Sequence, residues 1–162
     1  MHLSAELLWS LGRVGTPTAV GDTVVIPVHT HDAETDAATT TLHRVVDGEL
    51  TPNTSSHASA PALSPDGSRV AFLRPVDGEK QVHVMSLDGG EARPLTDFPM
   101  GAGSPKWLRD GSGVLCHAPL LDEAPTPEGT AALAVERAKS KVSARVTEDR
   151  VYRYWDTWLT DG

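Results

Sequence analysis

The sequence predicts an all-β protein made of repeated four-stranded antiparallel sheets, and three observations carry this prediction. The stretch Ala60–Arg74, APALSPDGSRVAFLR, aligns without a gap with Ser104–Ala118, SPKWLRDGSGVLCHA. Each copy combines a short apolar piece, an Asp-Gly pair suited to a tight hairpin turn and an alternating apolar strand. The equivalent prolines Pro61 and Pro105 lie 44 residues apart, and a third, weaker copy contains Pro17. A period in the forties is typical of β-propeller blades.

The middle copy is the most complete and defines the predicted blade. Its four strands are expected at Ala62–Ser64, Arg69–Arg74, Gln81–Leu87 and Arg93–Thr96. Hairpin turns are expected at Asp66-Gly67, Asp88-Gly89 and Asp110-Gly111. Side chains alternate along a strand, and both faces of the third strand carry apolar residues. This pattern is what a sheet packed between two neighbouring sheets requires.

The predicted fold is therefore a partial β-propeller of about two and a half blades, in one incomplete propeller domain over residues 1–162. Blade one is expected at about 13–54, blade two at about 58–98 and a partial blade three at about 102–162. Ala5–Leu11 suits either a lead-in helix or an outer strand.

Blades one and three carry further local signals. In blade one, Thr23–His29 alternates into a strand whose Pro27 suits an edge or a bulge, and the polar stretch Thr30–Thr40 is predicted to be a long exposed loop. In blade three, apolar residues recur at helical spacing over Thr130–Val142. This spacing predicts a short amphipathic helix inserted near residues 130–142, with Ala131, Val135, Ala138 and Val142 on its apolar face.

Charge and hydropathy exclude several partners. Lys and Arg number 14 against 22 Asp and Glu, giving a formal net charge of −8 without a basic stripe. Nucleic acid and anionic membranes are therefore poor partners. The N-terminus lacks the features of a secretory leader and no segment has the length of a membrane span, so a cytoplasmic location is expected.

Two features could be functional sites but can also be explained by structure alone: the single cysteine and a pair of histidines beside an aspartate. Cys116 is the single cysteine, cannot form an internal disulfide, and is predicted to be buried and inert in an apolar strand. His29 and His31, with Asp32 beside them, have a spacing that would point both imidazoles to one side of a strand, as in a metal site. No third ligand follows at a convincing spacing, so a strand running into a polar loop is favoured, and no metal or cofactor is predicted.

Four segments together resemble a known family: LLWSLGRVG, SPDGSRVAFLR, QVHVMSLDGGEARPLTD and YRYWDTWLTDG. They resemble the N-terminal propeller of prolyl-oligopeptidase-family (S9) serine peptidases of the acylaminoacyl-peptidase and dipeptidyl-peptidase type. The resemblance covers nearly the whole chain. It implies a propeller that precedes an α/β-hydrolase domain carrying the catalytic Ser, Asp and His, and that admits peptides but not folded proteins.

The resemblance also suggests contacts for three residues near the end of the chain. Arg153, Trp155 and Asp156 are candidates for contact with the central channel or the substrate of a complete enzyme. Surface or inter-blade ion pairing of the two charged residues, and a packing role between blades for the tryptophan, are favoured over this interpretation.

The sequence departs from the family in what it lacks. No five residues satisfy the nucleophile-elbow pattern G-x-S-x-G, so no catalytic residues are predicted and family membership does not imply activity. We therefore expect a fragment: the non-catalytic, substrate-gating part of a peptidase, which meets peptide only within a complete enzyme and tends to self-associate through open blade edges. The alternative is a Tol-associated-type propeller that docks partner proteins without enzymatic activity, because such propellers share the SPDG repeat.

Overall fold

The computed structural model describes residues 4–141 and the backbone of two short strands, Arg153–Tyr154 and Thr157–Trp158. The chain divides into two compact units. The first contains residues 1–97 and 102–117, and the second contains residues 98–101 and 118–162. No helix in the described part of the chain is long and apolar enough to cross a membrane.

The first unit begins with helix α1 (Ala5–Ser10) and continues as three antiparallel sheets. The first sheet, called blade one, contains β1 (Arg13–Val14), β2 (Thr18–Val20), β3 (Thr23–Asp32), β4 (Ala37–Val46) and β5 (Glu49–Pro52). The second, called blade two, contains β6 (Ser59–Leu63), β7 (Arg69–Val76), β8 (Glu79–Ser86) and β9 (Arg93–Pro94). The third, called the blade-three hairpin, contains β10 (Gly103–Trp107) and β11 (Val114–His117). Strands that follow each other in sequence pair side by side in blade two, which confirms the predicted antiparallel blade.

Asp-Gly turns set the register of the hairpins. The loop between β7 and β8 is only Asp77 and Gly78, with φ of 52° and 94°, and Asp47-Gly48 joins β4 to β5 in the same way. Positive φ at both central residues defines a type I′ turn, whose twist matches that of the flanking strands. Glycine adopts this conformation without a steric penalty, which explains the Asp-Gly sequence.

The 44-residue repeat extends to a bulge in the first strand of each copy. Ala60 in β6 and Ser104 in β10 are equivalent, and both have positive φ, 48° and 49°. The pairing of each strand with its neighbour shifts at this point, as it does at a β-bulge. A proline follows in both copies, Pro61 and Pro105. The two copies therefore share a strained backbone feature as well as a turn sequence.

Pro27 lies in the middle of β3 and is accommodated by a break in the neighbouring edge. β1 and β2 both pair with the same side of β3, and the chain between Val14 and Thr18 leaves the sheet opposite Pro27. The N–H of Gly15 donates to the carbonyl of Pro27 at 2.8 Å, so the proline nitrogen faces this break. The missing N–H of proline therefore costs no ladder hydrogen bond, although β3 has strands on both sides and its pairing with β4 continues through Pro27 without the predicted bulge.

The structure decides two other local predictions near the start of the chain. Ala5–Ser10 is a helix, and the Ser4 side chain caps its N-terminus by accepting the N–H of Leu7. The long loop predicted at Thr30–Thr40 is wrong, since β3 and β4 continue through most of it and leave only residues 33–36 as the turn. The threonines of this stretch suit an exposed pair of strands.

A hydrophobic core lies between blade one and blade two. It is formed by Val25, Leu42, Ala58, Leu63, Val70, Phe72, Met85 and Leu87. Phe72 has no exposed surface and neither has Leu42 on the facing blade. On the third strand of blade two, the run from Gln81 to Met85 is buried without interruption. Both faces of this strand are therefore covered, as predicted.

The second unit contains helix α2 (Pro127–Lys139) and the short pair β12 (Arg153–Tyr154) and β13 (Thr157–Trp158). Thr126 caps α2 by accepting the N–H of Gly129, and the Thr130 hydroxyl, fully buried, links Leu121 and Ala124. The helix itself confirms the predicted insertion. The predicted apolar face is wrong at Val135, which is 55% exposed, and at Ala138, which is also exposed, and Val142 lies outside the described residues.

The turn between β6 and β7 holds a strongly acidic carboxyl group. The Asp66 carboxylate accepts hydrogen bonds from the hydroxyls of Ser64 and Ser68 and from the N–H of Ser68. These hydrogen bonds, led by the one from Ser64, lower the pKa of Asp66 to about 2. In the second copy of the repeat, Ser112 likewise donates through its hydroxyl and its N–H to Asp110 and lowers the pKa of that carboxyl.

We predict that the core between the blades dominates stability. Phe72→Ala should lower the free energy of unfolding by about 3–5 kcal/mol, because it removes a fully buried ring and leaves a cavity. Leu115→Ala is the matched control, since Leu115 is 64% exposed, and should change it by less than about 0.5 kcal/mol. Urea denaturation followed by fluorescence would compare them, and equal effects would contradict this assignment of the core.

We predict that Asp66 makes stability fall at acidic pH. Its ordinary pKa of 3.8 applies in the unfolded chain and about 2 in the folded one, so the ionised carboxyl stabilises the fold above pH 3.8. That stabilisation is lost as the pH falls from about 4 to about 2. The difference in denaturant midpoint between wild type and Asp66→Asn should therefore narrow over this interval.

The control for this measurement is Asp47→Asn, which removes one carboxylate from another hairpin turn. A difference between wild type and Asp66→Asn that stays constant from about pH 6 to about pH 2 would contradict the assignment of this stabilisation to Asp66.

Candidate functional site

The three residues expected to line a channel fall in the second unit. Arg153 begins β12 and pairs with Trp158 of β13. Trp155 and Asp156 lie outside the described residues, as does the side chain of Arg153. Channel contact by these residues stays a prediction.

The two histidines of the candidate metal site make different contacts. Nδ1 of His29 is 2.8 Å from the hydroxyl oxygen of Thr40, on the neighbouring strand. The ring of His31 packs on Trp9 with 4.7 Å between ring centroids, and its Nε2 is 3.5 Å from a carboxylate oxygen of Asp36. Each imidazole thus has its own protein partner.

Asp32, the third residue of that candidate, shapes the hairpin turn. Its carboxylate accepts the N–H groups of Thr35 and Glu34, and these hydrogen bonds lower the pKa of Asp32. In the part of the chain that the structure describes, no three His, Cys, Asp or Glu side chains come together in a group that could hold a metal ion. The contacts of Asp32 support the interpretation of a strand that enters a polar turn.

A cleft of about 280 Å³ opens within the first unit, between blade two and the blade-three hairpin. Its walls come from β7, β8, β9, β10 and β11 and the segments that flank them. The lining residues are Arg69, Val82, Val84, Arg93, Leu95, Thr96, Trp107, Ser112, Gly113, Val114 and Cys116. Its apolar side chains include Val82 and Val84 of β8 and Val114 of β11, and both arginines come from blade two.

Arg69 and Trp107 both line this cleft and contact each other. The guanidinium of Arg69 lies 4.6 Å from the centroid of the Trp107 ring, within the range of a cation–π contact. Nη2 of Arg69 also donates to the carbonyl of Gly111 at 3.2 Å. The indole N–H of Trp107 donates to the carbonyl of Ala62 at 2.9 Å. These contacts join the blade-three hairpin to blade two, and no pattern in the sequence points to the pair.

Cys116 lines the cleft and is half-buried, so the prediction that it is buried is wrong. The 44-residue repeat makes Cys116 equivalent to Phe72, which has no exposed surface. The difference lies in the neighbours. In blade two, β8 pairs with β7 beside Phe72, whereas among the described strands β11 pairs with β10 alone.

The hydroxyl of Ser64 donates to Asp66 and accepts the N–H of Arg69, so it stabilises a turn. The cleft offers an aromatic ring, apolar side chains and two guanidinium groups. Aromatic residues and arginine are enriched at protein interfaces relative to the rest of the surface.

Comparison with known proteins gives a consistent result. No protein-family model matches the chain. The chain is 28% identical over 164 residues to dipeptidyl-peptidase 5 of Porphyromonas endodontalis, covering 97% of this chain and 23% of that protein. It is 31% identical over 165 residues to dipeptidyl-peptidase 5 of Porphyromonas gingivalis, covering 98% of this chain and 23% of that protein. The chain thus spans about a quarter of the length of these curated relatives.

Solved structures support the same fold. An acylaminoacyl peptidase in complex with Z-Gly-Gly-Phe-chloromethyl ketone matches with a TM-score of 0.60 and 22% identity, over 67% of this chain and 18% of that one. The β-propeller domain of the trilobed protease from Pyrococcus furiosus matches with a TM-score of 0.55 and 18% identity, over 65% of this chain and 33% of that one. The partial propeller predicted from the sequence is thereby confirmed. The resemblance to the propeller portion of prolyl-oligopeptidase (S9) peptidases is confirmed as well, because the chain is similar to two dipeptidyl-peptidases and has the fold of peptidase propellers.

Proposed function

We propose that this chain is the non-catalytic part of an S9-type peptidase that controls which substrates reach a hydrolase domain. The observation that carries the proposal is the similarity to two dipeptidyl-peptidases over nearly the whole chain but only about a quarter of their length. In this proposal, the peptide bond is hydrolysed by a domain outside these 162 residues, and the blades limit access by size.

The packing of the blades suits a rigid barrier. Phe72 and Leu42 are fully buried where blade one meets blade two, so the two sheets cannot separate without exposing a large apolar surface. Trp107 joins the next hairpin through its indole N–H. A wall of stacked sheets keeps its shape while a substrate passes, and a size limit depends on a fixed shape.

The composition of the chain is consistent with a peptide substrate rather than a nucleic acid. The formal net charge is −8, and the two arginines of the cleft lie beside apolar side chains and a tryptophan. A polyanion would meet repulsion over most of this surface. A cytoplasmic location, expected from the sequence, is part of the same proposal.

We predict that the 162-residue chain by itself hydrolyses neither dipeptidyl nor acylaminoacyl chromogenic substrates. It contains no G-x-S-x-G elbow to present an activated serine. Purified chain should release chromophore at the rate of buffer alone and should not react with a fluorophosphonate probe. Turnover that survives purification and is blocked by that probe would contradict the proposal.

The gating role is tested in a chimera with the dipeptidyl-peptidase 5 of Porphyromonas gingivalis, to which the chain is similar. The corresponding residues of that protein are replaced by this chain, and thermal unfolding first shows whether the chimera is folded. A folded chimera should cleave short peptides and leave a folded protein substrate intact. A folded chimera that cleaves both at similar rates would show that these blades do not restrict access.

A further inference from the structure

Arg74, on β7 of blade two, has hydrogen-bonding capacity that the fold does not use. Its guanidinium carbon lies 5.2 Å from the centroid of the Phe72 ring, in a cation–π contact. Its Nε atom is buried and has no hydrogen-bond partner. The ion pairs within the described part of the chain do not include Arg74. A guanidinium carries five N–H donors, and a buried donor without a partner destabilises a fold, so a ligand that accepts from it is favoured.

Arg74 lines a pocket of about 240 Å³ where blade one meets blade two. One side of the pocket is the segment 53–56, which follows β5, and the other contains β7, β8 and the segment 90–92, which precedes β9. The sheets on both sides have their strands from first to last. Because β5 and β9 are the last strands of their sheets, the pocket lies toward the outer side of the blades, away from the centre around which propeller blades are arranged.

The remaining walls of this pocket offer small polar groups and little bulk. The hydroxyls of Ser55 and Ser56 and the amide of Asn53 lie on the blade-one side. On the blade-two side Gly90 has a φ of 112°, and a Cβ at this position would meet nothing within 4 Å, so no side chain covers the backbone there. Met85 adds apolar surface. A few polar groups around a small apolar area are typical of a site for a small molecule.

The charges of the pocket specify the ligand further. Glu91 lines the same pocket and is exposed, and it forms no ion pair with Arg74. A simple anion would be attracted by Arg74 and repelled by Glu91, and a simple cation would meet the reverse. A molecule that carries both a carboxylate and an ammonium group is complementary to both residues. The planar guanidinium also matches the two oxygens of a carboxylate.

We propose that this pocket binds a small zwitterion, namely an α-amino acid or a dipeptide. The carboxylate of the ligand accepts hydrogen bonds from Arg74, and its ammonium group pairs with Glu91. This inference goes beyond the proposed gating function and does not depend on it, because the pocket is built from blades one and two alone.

Three matched ligands test the two charges of the zwitterion separately. They are alanyl-alanine, its N-acetyl derivative, which lacks the ammonium group, and its C-terminal amide, which lacks the carboxylate. In ¹⁵N-labelled chain, alanyl-alanine should cause saturable shifts of the Arg74 Nε–H resonance and of the backbone amides of Ser55 and Gly90. The acetyl derivative should bind several-fold more weakly, and the amide about tenfold more weakly, because a charge-assisted bidentate contact is lost. Alanine, as a fourth ligand, shows whether a free amino acid or a dipeptide fits better.

Two variants of Arg74 test the contact with the carboxylate. Arg74→Gln removes the guanidinium and should weaken the binding of alanyl-alanine about tenfold. Arg74→Lys keeps the charge and an aliphatic stem over Phe72 but has no planar fork. It should therefore bind alanyl-alanine more weakly than wild type and more strongly than Arg74→Gln. Circular dichroism checks that each variant is folded.

Glu91→Gln should act in opposite directions on two of the ligands. It removes the partner of the ammonium group, so alanyl-alanine should bind several-fold more weakly. It also removes the repulsion of a lone carboxylate, so the acetyl derivative should bind more tightly than to wild type. A purely structural role of Glu91 would change both affinities alike. Glu49→Gln is the matched control, because it removes an exposed carboxylate of β5 outside the pocket, and it should change neither affinity.

Three results would overturn the proposal. Equal affinity of wild type for alanyl-alanine and its amide would mean that the carboxylate is not recognised. Equal affinity of wild type and Arg74→Gln for alanyl-alanine would place the binding site elsewhere. Absence of saturable shifts with all four ligands, together with an equal loss of stability in Arg74→Gln and Glu91→Gln, would mean that these two side chains pair with each other in solution.

Discussion

The structure depends on one constraint: a twisted sheet with two apolar faces is stable only when both faces are covered. Phe72 on one side of blade two and Val84 on the other are each within the sheet's buried part, yet they belong to different interfaces. Burying such side chains is worth about 1.5–3 kcal/mol each, so a blade depends on its neighbours for most of its stability. The core and the cleft both lie where one blade packs face to face on the next.

The two interfaces of blade two satisfy this constraint in different ways. The first is filled by aliphatic and aromatic side chains around Phe72. At the second, Arg69 covers Trp107 through its guanidinium, and Gly111 accepts one of its hydrogen bonds. A guanidinium is weakly hydrated and flat, so it can pack on a ring while it still donates to a carbonyl. The second interface is thus more polar than the first, and it is the one that remains open as a cleft.

The same repeat accounts for the strained and acidic positions. Ala60 and Ser104 take equivalent positive φ values at the bulge before each proline. Asp66 and Asp110 hold equivalent turns through serine donors, and in both the hydrogen bonds favour the charged carboxylate. In a protein of unknown chemistry a perturbed aspartate suggests catalysis. Here each one recurs at a 44-residue interval with a structural partner, which assigns it to the scaffold.

Features that depend on near neighbours in the chain were predictable from the sequence, and features that depend on distant ones were not. The Asp66-Gly67 turn and the buried third strand follow from local conformational preference and from side-chain alternation, and both were predicted with nearly correct limits. The exposure of Cys116 was not predictable, because the pattern of β11 is the same whether or not a third strand lies beside it. The prediction that Val135 lies on a covered face was wrong for the same reason, because helical spacing shows that an apolar face exists but not whether another element covers it. Only the tertiary structure decides which surfaces meet, because the alternation of apolar and polar residues along a strand is the same whichever distant strand packs against it.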